Sequence, residues 1–313
     1  MIHSERVALE LDGARMPGVL TRPAEARAAV LLIPGSLWSD VDGNYPAMNA
    51  SPGLYKDLAE QLTERGAAVL RFAKTGPGTG TEVLDEERFR RCFRIFPQRL
   101  RVASAWLDEL EHRCPGLPVF LAGHSEGAVV GTLLARERAN ARGLALLSGP
   151  ALPLLRLLIW QQHETRRREG ADGAAAEAEF RAALGWLDDF VAERPLPEDF
   201  GGNPYVQALR FASRPENAPY LRSLEQVDPA AELARLALPV LIVQGGRDPS
   251  VSEPNADLLA RAQPRAEIAR FPKLQHFYKE IPEGLSAEEA FQYRGPTDPG
   301  VAATLARWLE RWL

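Results

Sequence analysis

Short runs of apolar residues alternate along this chain with stretches of helical periodicity, and this alternation restricts the folds that the chain can adopt. The clearest runs lie at Ala29–Ile33, Ala68–Phe72, Val119–Ala122, Leu144–Leu147 and Val240–Val243. A strand that is apolar at nearly every position is typical of a parallel strand covered by helices on both faces. The alternation therefore predicts an α/β protein built on a mostly parallel sheet.

Three further segments bring the predicted sheet to eight strands. The segments Val7–Leu11 and Pro17–Thr21 flank Asp12 and Gly13, a pair of residues typical of a tight turn. They predict an antiparallel pair at the start of the chain. The last strand is predicted at Glu267–Phe271, shortly before the final helical stretch.

One region interrupts the alternation, because no buried strand is recognisable between residues 149 and 228. Helical spacing at Leu152–Trp160 and Ala174–Val191 occupies it instead. We therefore predict a core of residues 1–148 and 229–313, with helices flanking the sheet. Residues 149–228 are predicted to form a helical cap, inserted after the sixth strand.

Charge and composition exclude several classes of protein. The 313 residues carry a formal net charge of −5, so the chain lacks the basic surface that nucleic acid or an anionic membrane requires. No apolar stretch has the length of a membrane span or the features of a signal peptide. The two cysteines are too few for a disulfide framework. We predict a cytoplasmic protein with a small-molecule partner and no nucleic-acid or membrane partner, and the oligomeric state stays open, with a homodimer among the options.

The segment Gly123–Gly127, Gly-His-Ser-Glu-Gly, is the strongest local signal for catalysis. It follows the strand Val119–Ala122 directly and opens the helical stretch Gly127–Arg138. A serine at such a strand-to-helix turn is held in a strained conformation that exposes its hydroxyl at the end of the sheet. The start of the helix also supplies backbone N–H groups near a developing negative charge. Ser125 is therefore the predicted nucleophile.

A nucleophilic serine needs a base and an acid that orients it. Of the five histidines, His276 alone follows the final strand and precedes the last helix, so it is the predicted base. Asp248 follows the buried strand Val240–Val243, at the edge where open α/β sheets place their sites. Asp228 is the alternative acid, although Pro229 after it favours the role of a helix N-cap. No spacing of cysteine and histidine predicts a metal site, and the chemistry requires no metal or other cofactor.

The oxyanion hole is predicted from two backbone N–H groups. One belongs to Glu126, directly after the nucleophile, and the other to Ser36, in the loop that follows the third strand. Leu37 is the alternative to Ser36. No histidine or lysine is placed in the sequence to activate the Ser36 hydroxyl as a second nucleophile.

Taken together, the motifs resemble those of bacterial α/β-hydrolase carboxylesterases, whose oxyanion loop reads roughly G-S-G-P-x-D-x-D-G-N and whose nucleophile elbow reads G-H-S-E-G. The resemblance extends from about Val7 to Leu313, is weakest in the predicted cap, and implies the α/β-hydrolase fold with a Ser-His-Asp triad. Two segments depart from the pattern. Leu37 and Trp38 replace the usual Gly-Pro, and Ala73–Gly76 replaces Asp-Lys-Arg-Gly. The segments that carry the resemblance are Gly35–Asn44, Arg71–Gly78, Gly123–Gly127 and Gln275–Lys279.

These observations predict a serine hydrolase that cleaves carboxylic esters of short to medium acyl chain length. Leu37, Trp38 and Trp160 are predicted to line an apolar, closed substrate pocket. The triad alone leaves a thioesterase, a small-amide hydrolase and an acyltransferase open. A non-catalytic ligand-binding protein of the same fold is the alternative from a different class.

Overall fold

The computed structural model describes residues 2–170, 173–282 and 284–313. The predicted domain ranges also include residues 1, 171, 172 and 283, which lie outside the described part. The strands are β1 (Ile2–Leu11), β2 (Ala14–Pro23), β3 (Ala28–Ile33), β4 (Ala67–Phe72), β5 (Glu82–Val83), β6 (Val119–His124), β7 (Ala141–Leu147), β8 (Val240–Gly245) and β9 (Glu267–Phe271). The α-helices are α1 (Leu54–Thr63), α2 (Glu86–Cys92), α3 (Pro97–Arg113), α4 (Glu126–Glu137), α5 (Leu154–Arg168), α6 (Ala174–Val191), α7 (Gln207–Ala212), α8 (Ala218–Glu225), α9 (Pro229–Ala234), α10 (Pro254–Ala262), α11 (Ala287–Gln292) and α12 (Pro299–Glu310).

The strands form one sheet in the order β1-β2-β4-β3-β6-β7-β8-β9, with β5 paired to β2. The pairs β1–β2 and β2–β4 are antiparallel, whereas every neighbouring pair from β4 to β9 is parallel. The predicted α/β fold with a mostly parallel sheet is thus confirmed. The described residues form nine strands instead of the predicted eight, because β5 has only two residues, both exposed, and carries no apolar pattern.

The opening antiparallel pair is also confirmed, and its turn explains the register. Asp12 and Gly13 have φ angles of 49° and 83°, so both central residues are left-handed. Such a two-residue turn matches the natural twist of a hairpin. Leu11 is accordingly paired with Ala14, and the pairing continues to the ends of both strands.

Helices cover the two faces of the sheet, which explains why its central strands are apolar at successive positions. On β3, Ala29, Leu31 and Ile33 belong to a buried cluster that includes side chains of α3 and α4. Val30 and Leu32 belong to the opposite cluster, which includes side chains of α1 and α12. Both faces of this strand are therefore inside the protein, as the sequence pattern predicted.

Helices α5 to α8 lie between β7 and α9, so the insertion follows the seventh strand instead of the predicted sixth, and the described residues of this stretch contain no strand. These helices have an apolar cluster of their own, which includes Leu155, Leu187, Phe190 and Tyr205. Gln161 connects α5 to the loop after β8, where its side chain accepts the N–H of residue 252 and donates to the carbonyl of residue 250. None of the described helices is both long enough and apolar enough to span a bilayer.

Parallel strands bring their carboxyl ends to one edge of the sheet. The segments that follow β3, β6, β8 and β9 therefore meet there. These segments contain the residues selected from the sequence: Ser36, Ser125, Asp248 and His276.

Candidate active site

Ser125 lies at the turn between β6 and α4, with φ 54° and ψ −124°. Residues other than glycine rarely adopt this strained conformation. Its backbone N–H donates a hydrogen bond of 2.8 Å to the carbonyl oxygen of Leu147 on β7. A Cβ on Gly123 would collide with the backbone of Gly127, and a Cβ on Gly127 would collide with that of Ile33. The two glycines thus permit the close packing that holds a strained serine at the end of the sheet.

His276 lies in the loop after β9, and its Nδ1 is 2.7 Å from Oδ2 of Asp248. The Asp248 side chain is fully buried, and its Oδ1 accepts the N–H groups of Ser250 and Val251 at 2.8 Å each. An acceptor held in this way favours the proton on Nδ1 and leaves Nε2 able to accept one. Ser125 and His276 line the same cavity.

Asp228, the alternative acid, lies at the exposed start of α9. Its side chain accepts the N–H of Ala231 at 3.0 Å, so the prediction that it caps this helix is confirmed. Of the two aspartates considered from the sequence, the structure brings Asp248 to His276 and leaves Asp228 in a capping role.

The loop after β3 passes beside the serine, so that a Cβ on Gly35 would lie 3.1 Å from the Cβ of Ser125. Leu37 in this loop is left-handed, with φ 62°. Ser36 and Glu126, whose N–H groups were predicted to form the oxyanion hole, both line the cavity. Glu126 is the first residue of α4, and an N–H at this position has no acceptor within its own helix. Its role as an oxyanion donor stays a prediction.

The cavity next to Ser125 has a volume of about 380 Å³. Apart from Ser125, His276 and their immediate neighbours, its walls are mainly apolar. Three leucines of the first turns of α5 lie at i, i+3 and i+4 and form one wall, a spacing that places them on one helix face. The apolar walls are formed by Leu37, Val129, Leu152, Leu154, Leu157, Leu158, Leu224, Val227, Val251, Phe277 and Phe291, together with several prolines.

Of the three residues predicted from the sequence to line the pocket, the structure brings Leu37 to the cavity and leaves two outside its lining. Trp38 is 48% exposed, and its indole lies against Gly76, where a Cβ would collide with it. The missing side chain at Gly76 therefore provides the space that the indole occupies. Trp160 on α5 does not line the cavity either, although Leu157, three residues before it, does.

Glu126 is the centre of a buried polar cluster that the sequence did not predict. Its Oε1 accepts hydrogen bonds from Lys74 Nζ at 3.0 Å, Arg99 Nε at 3.2 Å and the Tyr220 hydroxyl at 2.8 Å. Its Oε2 accepts the Ser36 hydroxyl at 3.2 Å. The Ser36 hydroxyl is thus hydrogen-bonded to a buried carboxylate.

The charges in this cluster shift one another's protonation equilibria. Burial alone would raise the pKa of Glu126, but Lys74 and Arg99, together with hydrogen bonds to the carboxylate, outweigh it and lower this pKa to about 2. Burial lowers the pKa of Lys74 to about 8, against the opposing attraction of Glu126. At neutral pH the cluster therefore contains two buried cations and one buried anion.

His124, directly before the nucleophile, joins three parts of the site through its ring. Its Nδ1 lies 3.2 Å from the Tyr55 hydroxyl, which accepts the N–H of Gly35 at 2.8 Å. Its Nε2 lies 3.0 Å from the carbonyl oxygen of His276. Burial first, and then the nearby His276, hold the pKa of His124 well below its usual value, so the ring is neutral. A neutral ring that donates from Nε2 and accepts at Nδ1 satisfies both contacts.

A sequence signal for the Glu126 cluster exists but is incomplete. A carboxylate directly after the nucleophile and followed by the apolar start of α4 has to be buried, and a buried charge needs partners. The partners Lys74 and Arg99 lie 52 and 27 residues earlier in the chain, and Tyr220 lies 94 residues later. Such distant partners are not recognisable without the tertiary structure.

The acidic stretch Asp40–Asn44 forms a turn stabilised by its own side chains. Oδ1 of Asp40 accepts the N–H of Asp42 at 2.9 Å and that of Asn44 at 2.8 Å. In the described parts of the chain, no three His, Cys, Asp or Glu side chains are grouped so that they could hold a metal ion.

Comparison with known proteins agrees with the fold. The chain is 27% identical to Esterase EstD of Thermotoga maritima over 300 residues, which are 94% of this chain, and spans 65% of that protein's length. It is also 27% identical to Monoglyceride lipase of Homo sapiens over 74% of this chain and 73% of the lipase. A structure of Est1E from Butyrivibrio proteoclasticus with ferulic acid bound superimposes with a TM-score of 0.60, at 18% identity over 98% of both chains. Residues 17–283 match the alpha/beta hydrolase family, and the chain therefore belongs to that family.

Proposed function

We propose that this protein is a serine hydrolase that cleaves carboxylic esters of short to medium acyl chain length, with Ser125 as nucleophile. The observation that carries the proposal is the strained Ser125 at the wall of a cavity that it shares with His276, whose Nδ1 is held by the buried Asp248. The names of the two sequence relatives, an esterase and a lipase, support an ester as the substrate.

In the proposed mechanism His276 Nε2 takes the proton of the Ser125 hydroxyl while Oγ attacks the carbonyl carbon of the ester. The negative charge that develops on the carbonyl oxygen is stabilised by the N–H groups of Ser36 and Glu126. His276 then gives its proton to the leaving alcohol, and an acyl-enzyme remains. A water molecule, deprotonated by the same nitrogen, releases the acid and restores the serine, while Asp248 stabilises the imidazolium in both steps.

The dimensions and walls of the cavity support a small apolar acyl group. Its volume of about 380 Å³ lies at the lower end of the range of roughly 300–1,000 Å³ that is usual for small-molecule sites. Helices α5 and α8 contribute to its walls, which supports the role of residues 149–228 as a cap over the site. Among the described residues that line the cavity, and apart from those next to Ser125 and His276, there is no lysine, arginine, aspartate or glutamate to pair with a charged acyl chain.

A substrate panel tests the proposal directly. We expect p-nitrophenyl esters to be hydrolysed with a higher kcat/KM than matched thioesters and anilides. A preference for thioesters or anilides would contradict the assignment of an ester substrate. Transfer of the acyl group to an added alcohol in preference to water would indicate an acyltransferase. An absence of both turnover and fluorophosphonate labelling would favour a ligand-binding protein.

The response to acyl chain length provides a second prediction. Each buried methylene contributes roughly 0.8 kcal/mol, so kcat/KM should rise about three- to fourfold per carbon until the pocket is full. It should then fall, because overpacking costs roughly 1–3 kcal/mol. Leu158→Ala should move the optimum to longer chains, since this side chain lines the cavity and is 39% exposed, so its loss disturbs little packing.

Trp38→Ala is the matched control for that experiment. The indole lies against Gly76 and outside the cavity lining, so we expect no change in the preferred chain length. Best activity of the unmodified protein on palmitoyl esters would contradict the closed pocket. A shift caused by Trp38→Ala but not by Leu158→Ala would place the end of the pocket at the indole instead.

A further inference from the structure

The polar cluster around Glu126 contains more buried charge than the proposed reaction uses. Arg99, Lys74 and Glu126 are each less than one-tenth exposed, and burying charged groups is costly even when they are paired. The cluster lies directly beside both segments of the predicted oxyanion hole. We propose that the side chains of Arg99 and Glu126 are positioning groups, which orient the Ser36 N–H toward the oxyanion. This inference rests on the function proposed above.

The role of Arg99 follows from the geometry of the peptide bond. Its Nη2 donates to the carbonyl oxygen of Pro34 at 2.6 Å and to that of Gly35 at 3.3 Å. The carbonyl of Gly35 and the N–H of Ser36 belong to one planar trans peptide unit, in which they point in opposite directions. A guanidinium that holds the carbonyl on one side of this unit therefore fixes the direction of the N–H on the other side.

Glu126 holds both Arg99 and the loop that Arg99 orients. Its Oε1 accepts Arg99 Nε at 3.2 Å, which fixes the rotation of the guanidinium, and its Oε2 accepts the Ser36 hydroxyl at 3.2 Å. Because Glu126 also supplies the second N–H of the predicted hole, one residue connects the two donors. The oxyanion loop and the start of α4 are thus joined by side chains as well as by packing.

A lysine at position 99 separates this positioning role from a purely electrostatic one. Arg99 donates to the Glu126 carboxylate through Nε and to two carbonyl oxygens through Nη2. A lysine keeps the positive charge, but its single ammonium group cannot reproduce the planar, two-sided geometry of these bonds. We therefore expect Arg99→Lys to lower kcat by about 10- to 100-fold, a part of the 10²- to 10³-fold cost of losing an oxyanion donor. KM should stay within about threefold, because the donor acts mainly in the transition state.

Ser36→Ala is a second variant that avoids a change in buried charge. It removes the hydroxyl that donates to Glu126 and keeps the backbone N–H. We expect a smaller loss of kcat, about three- to tenfold, with a similar melting temperature. If Arg99→Lys does not fold, this variant still tests whether the loop depends on Glu126.

The affinity for an alkyl trifluoromethyl ketone reports how well the hole stabilises an oxyanion, and it can be measured before the natural substrate is known. Ser125 Oγ forms a bond to the ketone carbon, the carbonyl π electrons move to the oxygen, and the serine proton passes to His276. The adduct therefore places an oxyanion in the hole. We expect the ketone affinity to fall in Arg99→Lys and Ser36→Ala by the same factors as kcat, a correlation that a merely structural role would not produce.

Arg138→Lys is the matched control, because Arg138 is also a partly buried arginine with carboxylate partners, Asp108 at 2.6 Å and Glu111 at 3.0 Å, but these lie on α3 and not in the oxyanion loop. It should lose stability with little change in ketone affinity. Unchanged ketone affinity in both Arg99→Lys and Ser36→Ala would overturn the positioning role. Absence of ketone binding to the unmodified protein would overturn this inference and the proposed function together. If ketone affinity responds as expected while no ester is hydrolysed, the inference holds and only the ester assignment fails.

Discussion

Ser125→Ala is expected to lower kcat for ester hydrolysis by roughly 10⁴-fold or more while the protein stays folded. The alanine removes the attacking atom, and what remains is binding and the stabilisation of charge by the oxyanion hole. The Ser125 side chain faces the cavity and carries no packing that alanine would lose beyond one oxygen atom. Rates with a p-nitrophenyl ester and the melting temperature measure these two expectations.

Labelling distinguishes the nucleophile from other serines. Ser125→Ala should no longer react with the fluorophosphonate, whereas Ser213→Ala, a change at an exposed serine that follows α7, should react as the unmodified protein does. A variant that kept one-tenth of the activity, or that was still labelled, would show that another residue is the nucleophile.

Asp248→Asn is expected to lower kcat by roughly 10²- to 10⁴-fold. Oδ1 of Asp248 accepts two backbone N–H groups, so the asparagine oxygen should stay there and its NH₂ group should face His276. An NH₂ group can only donate, which forces Nδ1 to be the acceptor and places the proton on Nε2. In this tautomer His276 cannot take the proton of Ser125, although the shape of the site is preserved.

Asp228→Asn is the matched control for the acid. Asparagine caps helices about as well as aspartate, so α9 should keep its N-cap and kcat should change little. Comparison of kcat for the two variants on one ester decides between the carboxylates. A large loss in Asp228→Asn combined with a small loss in Asp248→Asn would contradict the arrangement described above.

Much of the fold was predictable because its pattern is local. The apolar strands indicate that both faces of the sheet are covered, and the Asp12-Gly13 pair indicates a turn that needs two left-handed residues. The two-residue strand β5 was not predictable, since both of its residues are exposed and its pairing with β2 joins segments 67 to 69 residues apart. Its place in the sheet depends on contacts between distant segments and leaves no periodicity in the sequence.

The candidate site was likewise predictable only in part. The chain order of Ser125, Asp248 and His276 and their positions after strands were apparent from the sequence, because parallel strands end at one edge of a sheet. The pocket walls were less apparent, since the direction of a side chain depends on the loop or helix that carries it. Trp38 thus lies against Gly76 rather than in the cavity lining.

The sequence by itself determined the apolar strands and the strained turn at Ser125, because these depend on residues a few positions apart, such as Gly123 and Gly127. Only the tertiary structure decided which aspartate meets His276 and which groups surround Glu126. The physical reason is that a buried charge must find its partners in space, and the partners of Glu126 come from four other segments of the chain. Hydrophobic periodicity specifies where a segment is buried, but it carries no information about which distant side chain will lie opposite.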